Sequence, residues 1–165
     1  MLRATINAMK IFHSKTFGDV SLEKVGACIM NTITQSSDTY HVIIGSDSQQ
    51  KSNGTTDFVT AIILHHVGYG GIYFWYRVVD HKKRVLKQRI FEEATMSLET
   101  AHELMGILKE KGVERVECAI HVDIGNVGPT RELINEVTAM VRGSGFTVQT
   151  KPYSYGASKV ADRHT

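Results

Sequence analysis

Between residues 40 and 79 the chain carries three apolar, β-branched and aromatic runs, joined by connections too short to hold a helix. The first, 40–44, ends at Gly45-Ser46-Asp47. A polar turn containing Asn53-Gly54 leads to the second, 58–66, and Gly68-Tyr69-Gly70-Gly71 leads to the third, 72–79. Strands linked this closely pair antiparallel, so a three-strand meander is predicted. A segment of helical period follows over about 84–111, with Leu86, Ile90, Ala94, Leu98, Ala101, Leu104, Met105 and Leu108 as its apolar set and Gly112 as its C-cap. Residues 116–122 alternate as a strand. Gly128-Pro129 is read as opening a helix through 141, 146–150 as a short fifth strand, and 154–162 as a loop running into a brief helix. Before the meander, Asp19 and Ser21 offer N-caps to an amphipathic helix with Leu22, Val25, Cys28, Ile29 and Ile33 on one side.

The predicted order is β-β-β-α-β-α-β-α after an extra N-terminal helix: an α/β chain with a mixed sheet and helices on its faces. A length of 165 residues suits one domain. Residues 1–16 are read as an N-terminal extension and 17–165 as the domain. No apolar run approaches the ~20 residues of a membrane span, so no membrane partner is expected. No signal peptide is recognised, and Cys28 and Cys118 form neither a disulfide framework nor a metal-site spacing, which points to the cytoplasm. A net charge of +2 tolerates an anionic partner without demanding one. The eight histidines are scattered, none paired at helical i, i+4 zinc spacing.

Chemistry enters with the carboxylates. Asp47 follows the first strand, Asp123 follows the fourth, and Asp162 sits in the terminal helix. Singly, each reads as a loop hydrogen-bond acceptor. In this element order the first and fourth strands are neighbours, so both carboxylates reach one sheet edge and repel unless a cation lies between them. The long helix offers Glu92, Glu93, Glu99, Glu103 and Glu110. At about 100° per residue, Glu93 lies roughly 80° from the centre of the apolar stripe and the others face solvent. Only Glu93 can reach the site. Hard oxygen ligands suit Mg²⁺ or Mn²⁺, which would activate a water for phosphodiester hydrolysis. The four carboxyl groups are expected to converge within ion-sharing distance.

The segments Ile44-Gly45-Ser46-Asp47-Ser48-Gln49, Leu86 to Leu98, His121-Val122-Asp123-Ile124-Gly125 and Lys151 to Arg163 together resemble the YkuK-like family of ribonuclease H-like proteins, over nearly the whole chain. The resemblance implies a ribonuclease H-like fold with an acidic site. It matches Asp47 to the first-strand aspartate, Glu93 to the helix glutamate, Asp123 to the fourth-strand aspartate and Asp162 to the last-helix aspartate.

Around that set, Ser48 and Gln49 would orient substrate or a metal-bound water, and Lys51, Lys159 and Arg163 would grip a nucleic-acid backbone. Tyr153 and Tyr155 are candidates for base stacking. His121 reads first as a packed sheet histidine and second as a proton shuttle. Gly125 to Thr130 resembles the phosphate loops of actin-like ATPases, but a turn before a helix explains the same residues. Two functions follow: a divalent-metal-dependent nuclease acting on RNA, DNA or a hybrid, or a non-catalytic nucleic-acid-binding or adaptor domain. The complete acidic set favours the first. The free edge of the meander leaves room for a homodimer.

Overall fold

The computed structural model describes residues 9–165. Seven strands, β1 (Ile11–Ser14), β2 (Gly18–Ser21), β3 (Tyr40–Gln50), β4 (Thr56–His66), β5 (Gly70–Asp80), β6 (Glu117–His121) and β7 (Thr147–Gln149), form one sheet in the order β2-β1-β5-β4-β3-β6-β7. The meander β3-β4-β5 is antiparallel, while β6 and β7 add to it in parallel. Mixed pairing follows from connection length, since the turns of the meander are short and each parallel return carries a helix.

The helices are α1 (Leu22–Thr34), α2 (Leu86–Glu110) and α3 (Ile134–Gly143). Ser21 caps α1 by accepting the Lys24 N–H at 3.2 Å. Asp19 instead pairs with His13 at 2.6 Å. The apolar stripes of all three helices join one face of the sheet in a single core that includes Ile29, Ile44, Phe58, Ile62, Leu64, Phe74, Leu104, Leu108 and Ile120. The opposite face is buried at its centre, at Ile43, Val59, Ala61, Ile63 and His121. It is covered around Val59, Ala61 and Trp75 by the end of the chain, a π-helical turn, Gly156–Ala161, running into a 3₁₀ turn, Asp162–His164.

Four features differ from the sequence reading. The helix-linked order lacked a hairpin: β1 and β2 pair with each other, and β1 meets β5 at His13↔Trp75, so residues 11–14, assigned above to an extension, belong to the sheet. Four-residue strands are too short to show a period. That hairpin also lies along the outer strand of the meander, leaving β2 and β7 at the edges, so the free meander edge behind the homodimer expectation is covered. Asp47 lies inside β3 rather than after it, because pairing with β4 continues without a break to Gln50↔Thr56. Neighbouring strands override the weak strand preference of Ser, Asp and Gln. Finally, Pro129 does not open the second helix. It sits in a turn before the 3₁₀ segment Arg131–Leu133, from which α3 continues.

Candidate acidic site

Alternation along β3 sorts the site residues onto two faces. Ser46 and Ser48 point toward α2: the Ser46 hydroxyl lies 2.7 Å from that of Ser97 and 2.8 Å from that of Thr60. Ser48 donates to Glu93 Oε1 at 2.5 Å. Asp47 points the other way, where its Oδ2 accepts the Thr165 hydroxyl at 3.2 Å. The end of the chain reaches Asp47 because Gly45 lacks a side chain. A Cβ there would lie 2.5 Å from the Ala157 nitrogen, so only glycine lets the π-helical turn rest on the strand. Gly156 repeats the device from the other side, where a Cβ would meet Ile43 at 2.9 Å. Trp75 then stacks on His164 at 4.2 Å and 9°, Arg77 donates to the His164 carbonyl, and Lys51 donates to the Thr165 backbone oxygen at 2.9 Å.

Asp123 arrives from β6. The parallel register aligns Gly45 with His121, the last residue of β6, and Asp123 follows at a tight turn in which the Ile124 N–H donates to the Val122 carbonyl at 2.8 Å. The next strand continues the ladder, with the Val122 N–H donating to the Gln149 carbonyl and the Lys151 N–H to the Ile124 carbonyl. This sets the Lys151 ammonium 3.4 Å from Asp123 Oδ1.

These carboxylates feel one another. Burial, then the charge of Asp162, and to a smaller degree that of Asp123, push Asp47 up to about 6, against the opposing pull of the Thr165 hydroxyl. Burial drives Glu93 higher, to about 8; the Ser48 hydroxyl opposes the rise and the Asp47 charge adds to it. Glu93 is 4% exposed, as its place at the edge of the helical stripe predicts. Yet it approaches from the α2 side, behind β3. Among the described residues no three His, Cys, Asp or Glu side chains stand close enough together to hold a metal ion. The tight convergence of all four carboxyl groups expected from the sequence is therefore corrected for Glu93: the pleat of β3 and the Ser48 hydroxyl hold it on the α2 face, while Asp47 points to the other.

The other expected residues fall as follows. Ser48 is buried, and its hydroxyl serves Glu93. Gln49 is exposed and accepts from Lys51 Nζ at 2.5 Å. Lys159 and Arg163 are exposed on the terminal turns beside Asp162, itself exposed. His121 is buried and accepts the Gly156 N–H on Nδ1 at 3.0 Å, while burial pushes it down to about 4, so it is a neutral packing residue. Tyr153 is exposed, and Tyr155 packs edge-on against His121 at 4.8 Å. Sequence reasoning missed Lys151, and it read Arg89 only as part of a basic cluster with His81 to Arg84 and Lys87, whereas Arg89 turns inward and donates to the Ser48 carbonyl at 3.1 Å. The signal for Lys151 is its position just after the strand that flanks the Asp123 strand.

A meander followed by parallel helix-linked strands, with one aspartate within β3, a second just past its parallel neighbour β6 and a third on the closing terminal turns, is the arrangement of a ribonuclease H-like protein. A family model described as Ribonuclease H-like matches residues 24–165, and the chain belongs to that family. It is 33% identical over 165 residues to "Uncharacterized protein YkuK" of Bacillus subtilis (strain 168), covering 91% of each chain. No solved structure matches. Membership supports a nucleic-acid-related, nuclease-type function in general. Among the described residues no helix is long and apolar enough to cross a membrane.

Proposed function

We propose that this chain is a divalent-metal-dependent nuclease that hydrolyses phosphodiester bonds of nucleic acid. The observation that carries the reading is the mutual repulsion of Asp47 with Asp162 and Asp123 on a surface whose burial already disfavours charge. Sites that hold like charges against their own solvation are built for a ligand of opposite sign. The donor set is all hard oxygen, and Asp123 Oδ1 is buried without a hydrogen-bond partner among the described residues, so the residues fit Mg²⁺ or Mn²⁺ in their chemistry. Asp47, Asp123 and Asp162 would hold the ion, while Glu93 stays with Ser48 on the other face of β3. A bound ion would supply an activated water and neutralise developing charge on the phosphate. The chain's own contribution would be to bring Asp47 on β3, Asp123 just after β6 and Asp162 on the terminal turns into one another's field, with Lys159 and Arg163 on the rim to meet the backbone. A second reading, a non-catalytic nucleic-acid-binding domain, is favoured by the Ser48–Glu93 bond that turns one carboxylate away.

The test is cleavage of labelled single-stranded, duplex, hybrid and branched nucleic acids with Mg²⁺ or Mn²⁺, alongside the Asp47→Asn and Asp123→Asn proteins. Cutting that both substitutions reduce by at least about a hundredfold is expected. Binding without cutting would move the assignment to the second reading.

A further inference from the structure

Lys159 and Arg163 stand exposed on the terminal turns beside Asp162, and Lys151 stands apart from the remaining cations near the acidic site. Lys51 is tied to Thr165, Gln49 and Asp57, Arg77 to the His164 carbonyl, and Arg89 is turned inward onto Ser48. The ammonium of Lys151 instead rests 3.4 Å from Asp123 Oδ1, on a side chain still about half exposed. Its position is built by the backbone. The Lys151 N–H donates to the Ile124 carbonyl at 2.8 Å, which places the residue alongside Gly125. A Cβ on Gly125 would lie 3.0 Å from Lys151 Cβ and 3.6 Å from its Cδ, so the bare glycine makes room for the lysine stem. The oxygen it faces is buried and accepts no hydrogen bond among the described residues. The contact is thus a charge held near an otherwise unpaired carboxylate oxygen, without the direction of a hydrogen bond. Such a contact is exchangeable, because little is lost when the ammonium moves to another anion.

We propose that Lys151 is both the resident counter-cation of Asp123 and the phosphate-gripping side chain of the acidic site, poised to leave the carboxylate for a nucleic-acid phosphate. The inference rests on the nucleic-acid reading for its second half only. A flexible four-carbon stem ending in a compact charge suits it to exchange between two anions. By linkage, what competes for Asp123 must weaken the binding of a divalent cation there, and what grips phosphate must release counterions on binding nucleic acid.

The two roles predict opposite signs for one substitution. In Lys151→Gln, Mn²⁺ affinity measured by calorimetry without nucleic acid should rise about three- to tenfold, since a competing charge is gone. Affinity for a fluorescein-labelled single-stranded oligonucleotide, measured by anisotropy in EDTA, should fall, and the slope of log affinity against log salt should shrink by about 0.7. Lys151→Arg should restore the slope. Unchanged or weaker Mn²⁺ binding in Lys151→Gln overturns the counter-cation role. A salt slope equal to that of the wild type, in a protein that binds the oligonucleotide, overturns the phosphate grip alone. If the wild type binds neither single strands nor duplexes, the nucleic-acid reading itself fails and takes the grip with it, while the Mn²⁺ titration still decides the other half.

Discussion

Strand β3 shows two unlike surfaces within three residues. On the side of Ser46 and Ser48, every hydroxyl is matched to a neighbour on β4 or α2, and water is excluded. On the side of Gly45 and Asp47, the cover is a single helical turn, and Asp47 keeps partial access to solvent. The dry side holds Glu93 near neutrality by burial; the wet side keeps Asp47 under the repulsion of Asp162 and Asp123. The same strand therefore carries a buried polar network and a partly solvated acidic edge, separated only by the pleat. Burial differs, and burial sets both the cost of charge and the freedom to exchange partners.

The largest expected effect tests the dry side by pH. Because burial raises Glu93 from 4.5 to about 8, its stabilising protonated form is complete below the unfolded value and is lost as pH climbs through the folded one. Stability should fall with rising pH across that window, by something on the order of a few kcal/mol. Glu93→Gln should flatten the fall above about pH 6.5, since the fall from Asp47 ends near pH 6 and the opposing rise from His121, lowered by burial to about 4, is complete by its unfolded value of 6.5. Urea midpoints at several pH values would show it, and an equal slope in the variant would contradict the assignment.

Gly45→Ala attacks the other side. A methyl group 2.5 Å from the Ala157 nitrogen must push the terminal turn off the strand, at a cost of about 1–3 kcal/mol. The emission of Trp75, the single tryptophan, should shift with it as its stack on His164 opens. A smaller change, Ser48→Ala, leaves Glu93 without its short hydrogen bond and should cost about 1–2 kcal/mol by denaturation. Smallest is His164→Ala. Loss of the Trp75 stack should cost roughly 0.5–1 kcal/mol and be visible chiefly in fluorescence.

Much of this was legible in advance. The helical wheel singled out Glu93 because amphipathic position is a local property, and its burial follows from the stripe that buries Ile90, Ala94 and Ala101. Ser21 was legible as a cap for the same reason. The β1–β2 hairpin was not, since four-residue strands carry no readable period and are held by the sheet they join. Nor was the extent of β3. Ser46 to Gln50 look like a turn until β4 pairs with them. Pro129 suggested a helix start that the chain delays by two residues, because the 3₁₀ turn begins only at Arg131.

By itself, then, the sequence determined the meander, the long helix with Glu93 at the edge of its buried stripe and the parallel return, all of which follow from periodicity and connection length between near neighbours. The tertiary structure alone decided that Asp47 and Glu93 lie on opposite sides of one strand and that Lys151 guards Asp123. The pleat, the parallel register and two bare glycines bring together residues tens of positions apart, and no local pattern encodes the distance or the charge balance between them.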